Sequence, residues 1–535
     1  MPTNRKKDTR RLKHGAMEES AKPAGPGESG PTEVTAPLNR RLALVAAVLF
    51  LATAVYLGLG IPMGIPGQWC TPYHTLTTPA ADIAFLALVL AGFALLAFAF
   101  DRVSQGAGAA GRAAMAAALT VAYGLVLFTT ASTGPYGRAE FIVPSAEKAS
   151  CGLFRYEAQR ITNWRDYLAR FPQILEAYRL DYRKTVKVNN NPPGTTMVFY
   201  VSSKLAQRYP RLADASVKAV FGNGFTAPTE RLAEPLIGSW MLLFGTMLAF
   251  VPAYLSASLM YGGRAFFPAA AGMLAGSLLL FNPDNDTLQV MPFLWMFYFA
   301  LKGMRGRPLL WGALMGITAA AAFFFTLATA IVVIVLFAWT AALKMLDRKR
   351  SIVQDAMFWA ASAAGLAAGF GILYATLRYN SLSSLYVCYT NHREFYTTFH
   401  LVYWQWVLYN VWDFAMFFGG PLVAVVGWYA IRKPAGQTLS GEDRTARAFI
   451  LAALVVMLVL DISGKNLSEV NRLWVFFMPL LALPALVVAR RDKHGAGTLW
   501  AVVVMQVLTI LMMRAFVDLW LAESLFKHFQ EFVGS

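Results

Sequence analysis

Charged residues and cysteines are scarce in this sequence, and both shortages narrow the class of protein. Only 14% of the 535 residues are charged and 57% are hydrophobic, whereas soluble proteins carry a charge on about a quarter of their residues. The three cysteines, Cys70, Cys151 and Cys388, are far apart and form no CxxC pair. This spacing shows neither a metal site nor a disulfide framework, and it leaves a Cys70–Cys151 bridge open only in an oxidising compartment. The composition argues against a set of soluble domains.

Acidic residues are the rarer charged type, and the formal net charge is +17. In a soluble protein this excess would favour nucleic-acid binding. Here the basic residues lie in the N-terminal tail and in short links between apolar runs, which is the pattern of cytoplasmic loops beside anionic lipid. We therefore expect a membrane protein that has membrane lipid, and no nucleic acid, as a partner.

The first 39 residues differ in composition from the rest of the chain. Residues 1–39 are rich in Lys, Arg, Glu, Pro, Gly and Ser, so they cannot bury a core and we predict a disordered tail. The cluster RKKDTRRLK predicts that this tail stays in the cytoplasm. Residues 40–535 carry the apolar runs and are predicted to form the transmembrane domain.

Long apolar runs dominate the remaining sequence. They lie at about 42–60, 82–100, 112–131, 195–206, 234–258, 265–281, 288–302, 308–346, 355–376, 404–431, 446–462, 472–490 and 497–520. A spanning helix needs about 20 apolar residues, so the run 308–346 is long enough for two. The sequence predicts an all-α, polytopic integral protein of the cytoplasmic (inner) membrane, with about 12 to 13 transmembrane helices.

The longest polar stretch between apolar runs, residues 132–194, is predicted to be an external loop. The link between the second and third runs carries Arg102 and Arg112, whereas the link between the first and second has neither Lys nor Arg; this asymmetry orients the first three spans. Within the loop, residues 163–182 place aromatic and aliphatic residues at helical spacing, with charges between them. This pattern favours an amphipathic helix in the membrane interface over a helix packed on the protein.

Four polar clusters at membrane boundaries are candidate functional sites, because charged groups near apolar spans are costly. The first cluster is the acidic set of the external loop, which comprises Glu140, Glu147, Glu157 and Asp166. A carboxylate in low-dielectric surroundings has a raised pKa and can act as a general base. We predict Glu140, in PYGRAEF, as the catalytic base and Asp166 as the second choice. A solvated loop charge is the alternative for each.

The second cluster is the polar turn NNNPPG, residues 189–194. Proline fixes φ and is tolerated at a helix start, so Pro-Pro-Gly can end an extended segment and begin the next helix. Helix N-termini also attract phosphate groups. We predict that Asn190, Asn191, Pro192 and Pro193 bind substrate, with a plain helix start as the alternative.

The third cluster contains Asp284 and Asp286 in NPDND, beside an apolar run. Carboxylate and amide oxygens suit a divalent cation, so these aspartates are the predicted metal ligands. They can instead orient a sugar hydroxyl. Asn-Pro-Asp-Asn is also a strong turn signal, which is the plain structural alternative.

The fourth cluster, DISGKNLSEVNRLW, lies between two apolar runs and carries Lys465, Glu469 and Arg472. Arginine is suited to bidentate phosphate binding, so these residues are predicted to contact a substrate phosphate. Glu469 and Arg472 are three positions apart and can simply pair with each other on a helix.

With these clusters marked, the chain resembles the GT-C superfamily of polytopic glycosyltransferases, which includes protein mannosyltransferases and aminoarabinose transferases. The turn NNNPPGTTMVFY is similar to the family's Pro-Pro motif, which closes a large first external loop and opens the next span. The segment from RLAEPLIGSW to FNPDNDTLQ is similar to the span pair that follows, with Asp284 or Asp286 at its acidic position. SEVNRLWVFFMP resembles a Glu-x-x-Arg motif of bacterial members. Two features depart from the family: Asn191 stands where many relatives have His or Lys, and residues 42–100 form an extra hairpin.

The resemblance implies transfer of a sugar from a polyprenyl-phosphate donor to an acceptor glycan, lipid or protein at the outer face of the membrane. It implies an acidic base in the external loop, with basic groups stabilising the lipid-phosphate leaving group. The main alternative is a membrane transporter or a lipid or glycolipid flippase. A transporter often has two related halves with interrupted helices, whereas this sequence has one large asymmetric loop. A ligase or polymerase that moves preassembled glycans is a second alternative.

Overall fold

A computed structural model of the chain describes residues 36–519, apart from 147–150, 179–186, 223–228, 263, 348–349, 399–400, 432–440 and 492–494. The prediction of a disordered tail falls almost entirely outside the described residues. The described chain is helical except for one small antiparallel hairpin, in which Met63 pairs with Thr71.

Among the described residues, eight helices are long and apolar enough to cross a membrane, and a bent pair would make nine. The eight are Arg40–Gly58, Ala80–Val103, Ala109–Ala131, Leu232–Tyr261, Thr329–Leu346, Ile352–Leu377, Gly441–Ile462 and Gly495–Phe516. Two shorter apolar helices, Pro308–Phe323 and Phe477–Leu486, accompany them. The prediction of an all-helical, multi-pass membrane protein is confirmed, while fewer helices meet the length requirement than the apolar runs suggest.

The first half of the chain contains the hairpin and the segments of the polar loop. Its elements are α1 (Ala36–Gly58), β1 (Met63–Ile65), β2 (Trp69–Thr71), α2 (Ala80–Val103), α3 (Ala109–Ala131), a 3₁₀ helix (Gly137–Phe141), α4 (Val143–Ala146), α5 (Gly152–Gln159), α6 (Trp164–Ala169), α7 (Phe171–Tyr178), α8 (Gly194–Arg208), α9 (Pro210–Phe221), α10 (Thr229–Met247) and α11 (Phe250–Tyr261). Residues 187–190 add one helical turn before α8.

The second half contains most of the interrupted helices. Its elements are α12 (Phe266–Met273), α13 (Gly276–Leu280), α14 (Asn285–Leu288), α15 (Val290–Arg305), α16 (Pro308–Phe323), α17 (Thr329–Leu346), α18 (Ile352–Leu377), α19 (Ser381–Thr398), α20 (Tyr403–Phe418), α21 (Gly420–Ile431), α22 (Gly441–Ile462), α23 (Val470–Leu473), α24 (Phe477–Arg491) and α25 (Gly495–Phe516). The run 308–346 forms two helices, as predicted.

The breaks in these helices explain why fewer of them reach spanning length. Helices α20 and α21 meet at 113°, and Gly419 between them has φ of 99°, a conformation that favours glycine. A helix break inside a membrane protein frees backbone groups, which need new partners. The buried amide of Gln506 donates to the carbonyls of Leu274 and Phe418, each at 3.0 Å. One side chain of α25 therefore serves the breaks at α12 and α20.

The amphipathic segment of the loop forms two short helices, α6 and α7, instead of the single helix predicted over 163–182. The side chain of Asn163 caps α6 by accepting from the Arg165 N–H at 3.0 Å. Tyr167, Leu168, Phe171 and Leu175 are buried in a second apolar cluster, together with residues of α8 and α19. The face expected to contact lipid is therefore packed against the protein.

The polar turn that precedes α8 packs against the connection between α16 and α17. Pro193 is the residue before the first helical position of α8, in agreement with the predicted helix start. The Gly194 N–H donates to the Phe324 carbonyl at 2.8 Å. A Cβ atom at Gly194 would lie 2.6 Å from that carbonyl oxygen, so the close approach requires glycine.

Candidate functional site

Arg472 joins two of the predicted clusters. Its Nε lies 3.1 Å from Asp286 Oδ2 and its Nη1 lies 3.8 Å from Asp284 Oδ2. Its Nη2 also lies 3.0 Å from Glu469 Oε2, so the local pair predicted as the plain alternative is present as well. The structure thus brings the predicted metal ligands and the predicted phosphate contacts into one site.

The two aspartates are held by the turn that contains them. Asp284 precedes α14 and forms a capping box with Thr287, and its Oδ1 accepts from the Asn285 N–H at 2.7 Å. Asp286 lies in the first turn of α14, where its Oδ1 accepts from the Asn285 amide at 2.9 Å. The turn chemistry therefore fixes the position of both carboxylates beside Arg472.

The backbone before Arg472 is anchored from two other helices. Asp413 of α20 accepts from the Asn471 N–H at 3.0 Å, and the Ser277 hydroxyl of α13 donates to the Asn471 carbonyl. Glu469 precedes α23 in the left-handed region, with φ of 56°. These contacts fix the start of the short helix and, through it, the guanidinium.

A thiol and an amine from the loop segment complete the site. The Cys151 thiol donates to Asp284 Oδ1 at 2.6 Å, and all three cysteines are free thiols, so the Cys70–Cys151 bridge is not formed. Burial, with the neighbouring Asp284 charge, raises the pKa of Cys151, so the thiol stays protonated. Lys187 lies close enough to act electrostatically on Cys151 and Asp286, yet its buried Nζ has no hydrogen-bond partner.

The polar turn is tied to this site through Lys187. The Asn191 side-chain amide donates to the Lys187 carbonyl at 2.8 Å, and the Asn391 amide of α19 donates to the Asn189 carbonyl at 3.2 Å. Pro192 and Pro193 are buried, and Asn190 is half-buried. The predicted substrate-binding turn thus forms the wall from which Lys187 projects. Its role in substrate binding stays a prediction.

The buried charges leave Asp286 able to exchange a proton near neutral pH. Burial, and then the charge of Asp284, raise the pKa of Asp286 to about 7, against the opposing effects of Arg472 and Lys187. Burial alone would lower the pKa of Arg472, but the charges of Glu469, Asp286 and Asp284 outweigh it and raise it. The site therefore combines a permanent cation with a carboxylate whose pKa suits general-base catalysis.

Glu140, the predicted base, lies in an enclosed ion pair. Its side chain is only 2% exposed, and its Oε2 lies 2.5 Å from Nη2 of the equally buried Arg514. Burial raises the pKa of Glu140, while Arg514 opposes that rise. A Cβ at Gly134 would collide with the carboxylate, so backbone closes one side of it. Its catalytic role stays a prediction, and the contacts it makes are those of a structural ion pair.

Asp166, the second predicted base, is on the surface. It lies in the first turn of α6 and pairs with Arg170, and both side chains are about half exposed or more, at 49% and 67%. This is the solvated charge of the alternative interpretation. Lys465 is likewise outside the Arg472 contacts, with its Nζ 5.6 Å from the ring centroid of Tyr389.

A buried carboxylate that was considered only as part of the acidic set lies beside the polar turn. Glu157 accepts from the Tyr178 hydroxyl at 2.8 and 2.9 Å, and burial raises its pKa. The Tyr178 carbonyl accepts from the Asn189 amide at 3.3 Å. Glu157 therefore supports the polar turn through Tyr178.

Among the described residues, no group of three or more His, Cys, Asp or Glu side chains is arranged to hold a metal ion. The cation that contacts both Asp284 and Asp286 is Arg472. The divalent cation predicted for these aspartates stays a prediction. Comparisons with known proteins find no matching family model, no matching curated protein and no matching solved structure.

Proposed function

We propose that the chain is a membrane-embedded glycosyltransferase, which transfers a sugar from a polyprenyl-phosphate donor to an acceptor hydroxyl at the outer face of the cytoplasmic membrane. The proposal rests on the site around Arg472 and on the motifs that resemble the GT-C superfamily. The supporting observation is the meeting of three distant segments, which carry Lys187, the Asp284–Asp286 pair and Arg472.

The charges of this site suit the transfer of a sugar from a phosphate. The acceptor oxygen attacks the anomeric carbon, and the bond from that carbon to the phosphate oxygen breaks, which inverts the configuration. The acceptor proton passes to a carboxylate, and polyprenyl phosphate leaves with the electron pair. Fixed cations stabilise the charge that develops on such a leaving group.

We assign the base to Asp286 in place of the carboxylates chosen from sequence. Its pKa of about 7 keeps a substantial ionised fraction at neutral pH, whereas Glu140 is neutralised by Arg514 and Asp166 lies in solvent beside Arg170. Lys187 is the cation for the leaving phosphate, because its buried amine has no hydrogen-bond partner. Arg472 holds Asp286 in place and adds positive charge.

The test is release of polyprenyl phosphate by the purified full-length chain in liposomes. The donors are polyprenyl-phosphate hexose, N-acetylhexosamine and pentose, and the acceptors are glycans and lipids extracted from cell membranes. We expect release with at least one donor, and a loss of about 10² to 10⁴ on Asp286→Asn, the usual worth of a general base. Asp214→Asn, an exposed acid of α9, is the matched control. Movement of intact donor across the bilayer without release would instead identify a transporter or flippase.

A further inference from the structure

An open cavity of about 780 Å³ lies between the loop helices and the corner that joins α18 to α19. One wall is formed by residues of α7 and the turn before it, and the other by the end of α18 and the first two turns of α19. Its lining residues are Ala169, Pro172, Gln173, Glu176, Tyr374, Arg378, Asn380, Leu382, Ser383, Tyr386 and Val387. Ligand pockets in proteins are typically of roughly 300 to 1,000 Å³, so this one has room for a small molecule or a lipid headgroup.

Two opposite charges line this cavity without neutralising each other. Glu176 belongs to the α7 wall and Arg378 to the α18–α19 corner. Within the described part of the chain, neither residue forms an ion pair, in contrast to the pairs at Asp166 and Asp355. Unpaired cations bind phosphate oxygens, and unpaired carboxylates bind ammonium groups, through charge-assisted hydrogen bonds. The cavity therefore offers one contact for each end of a zwitterion.

The rim of the cavity is aromatic and exposed at the end of a candidate span. Tyr374 lies in the last turn of the span Ile352–Leu377 and is 55% exposed, and Tyr386 of α19 is 72% exposed. Leu382, Tyr386 and Tyr389 are spaced four and three positions apart, so they form one outward stripe of α19. Tyrosine and tryptophan are enriched where membrane helices enter the headgroup region. The stripe therefore places the mouth of the cavity at the level of lipid headgroups.

We propose that this cavity binds the headgroup of an aminophospholipid, with the lipid phosphate on Arg378 and the ammonium group on Glu176. The acyl chains leave along the stripe formed by Leu382, Tyr386 and Tyr389. The bound lipid joins α7 to α19, which are the two elements that flank the polar turn. This inference is independent of the proposed glycosyl transfer.

The test measures which lipids stay with the purified full-length chain. The protein is reconstituted in nanodiscs with equal amounts of phosphatidylethanolamine, phosphatidylglycerol and phosphatidylcholine, extracted in detergent, and analysed for retained lipid by native mass spectrometry. We expect retained phosphatidylethanolamine to exceed the other two. Arg378→Gln is expected to lower its retention roughly tenfold, the effect of losing a charge-assisted hydrogen bond. Glu176→Gln is expected to remove the preference over phosphatidylglycerol while phosphate binding remains.

Matched controls separate this site from general charge effects. Arg165→Gln and Asp214→Asn remove exposed charges of the same sign that do not line the cavity, and both are expected to retain lipid as the wild type does. Equal retention of the three lipids by the wild type, or unchanged retention in both cavity variants, would overturn the proposal. Displacement of the lipid by soluble phosphoethanolamine at the same concentration would overturn the assignment to a membrane lipid.

Discussion

Arg472 Nε contacts Asp286 Oδ2 at 3.1 Å, and this contact joins α23 to α14. The two residues come from separate turns between membrane helices, and each turn is fixed by its own local hydrogen bonds. Buried charges are costly unless they are paired. The pair therefore has a double consequence: it stabilises the site, and it leaves a carboxylate with a raised pKa next to a permanent cation.

Removing the Arg472 guanidinium is expected to destabilise the protein. Arg472→Gln leaves Asp284 and Asp286 buried without their cation, and loss of one partner of a buried pair typically costs about 3 to 5 kcal/mol. A thermal unfolding scan in detergent checks this, with Arg170→Gln as control because its pair with Asp166 is exposed. An unfolding temperature as high as that of the control would contradict the structural role of Arg472.

The transfer rate is expected to rise with pH through about 7. Burial raises the pKa of Asp286 to about 7, so the carboxylate is protonated and inactive as a base below this value and ionised above it. In Asp286→Asn the residual rate is expected to lose this rise. The measurement is the rate of polyprenyl phosphate release between pH 5 and about pH 9, the range in which a general base of this pKa titrates. The same rise in the variant would assign the titration to another group.

Glu140→Gln is expected to act mainly on stability. Arg514 would lose its buried counter-charge, at a cost of about 3 to 5 kcal/mol. The double variant Glu140→Leu/Arg514→Met replaces both charges by apolar groups and is expected to recover much of that loss. Asp166→Asn, on an exposed pair, is expected to change stability by no more than about 1 kcal/mol. An unchanged unfolding temperature in Glu140→Gln, with transfer abolished, would restore Glu140 as the base.

Sequence patterns were sufficient for the helical membrane class, because about 20 apolar residues in a row leave few alternatives. They overcounted the full-length helices, since the interruptions at Ala275 and Gly419 are stabilised by contacts such as that of Gln506, which lie far away in sequence. The polar clusters were found as separate groups. That Asp286 and Arg472 touch depends on tertiary packing, which no local spacing encodes.

Cys151, Lys187 and Asp413 were missed as members of the site for the same reason. Cys151 is a lone cysteine, and its meaning comes from the Asp284 oxygen 2.6 Å away. Lys187 precedes the polar turn by two residues, and this proximity was the one available signal. Asp413 lies within an apolar run, where a charged residue is costly and marks a function by default.

Gly194→Ala is expected to destabilise the polar turn. The added Cβ would lie 2.6 Å from the Phe324 carbonyl and as close to the Phe325 ring, and such overpacking costs about 1 to 3 kcal/mol. Gly92→Ala in α2 is the control, because nothing lies within 4 Å of its added Cβ, and alanine favours helix. Thermal unfolding of both variants checks the difference. Equal unfolding temperatures would contradict the tight packing of the turn.

The external position of residues 132–194 is tested by cysteine labelling. Cys151 and Cys388 are buried, so Gln173→Cys in a Cys70→Ser background offers one exposed thiol on α7. We expect an impermeant maleimide to label it in intact cells. Labelling only after permeabilisation would place this segment in the cytoplasm and contradict the outer-face reaction.

The most direct test of the proposed mechanism compares Asp286→Asn with Glu140→Gln in a single-turnover assay of sugar transfer, with rates normalised to the folded fraction of each protein. The account predicts that Asp286→Asn loses about 10² to 10⁴ in rate, the worth of a general base, while the folded Glu140→Gln protein transfers at nearly the wild-type rate. Wild-type transfer by Asp286→Asn would contradict the assignment of the base and, with it, the catalytic role of the Arg472 site.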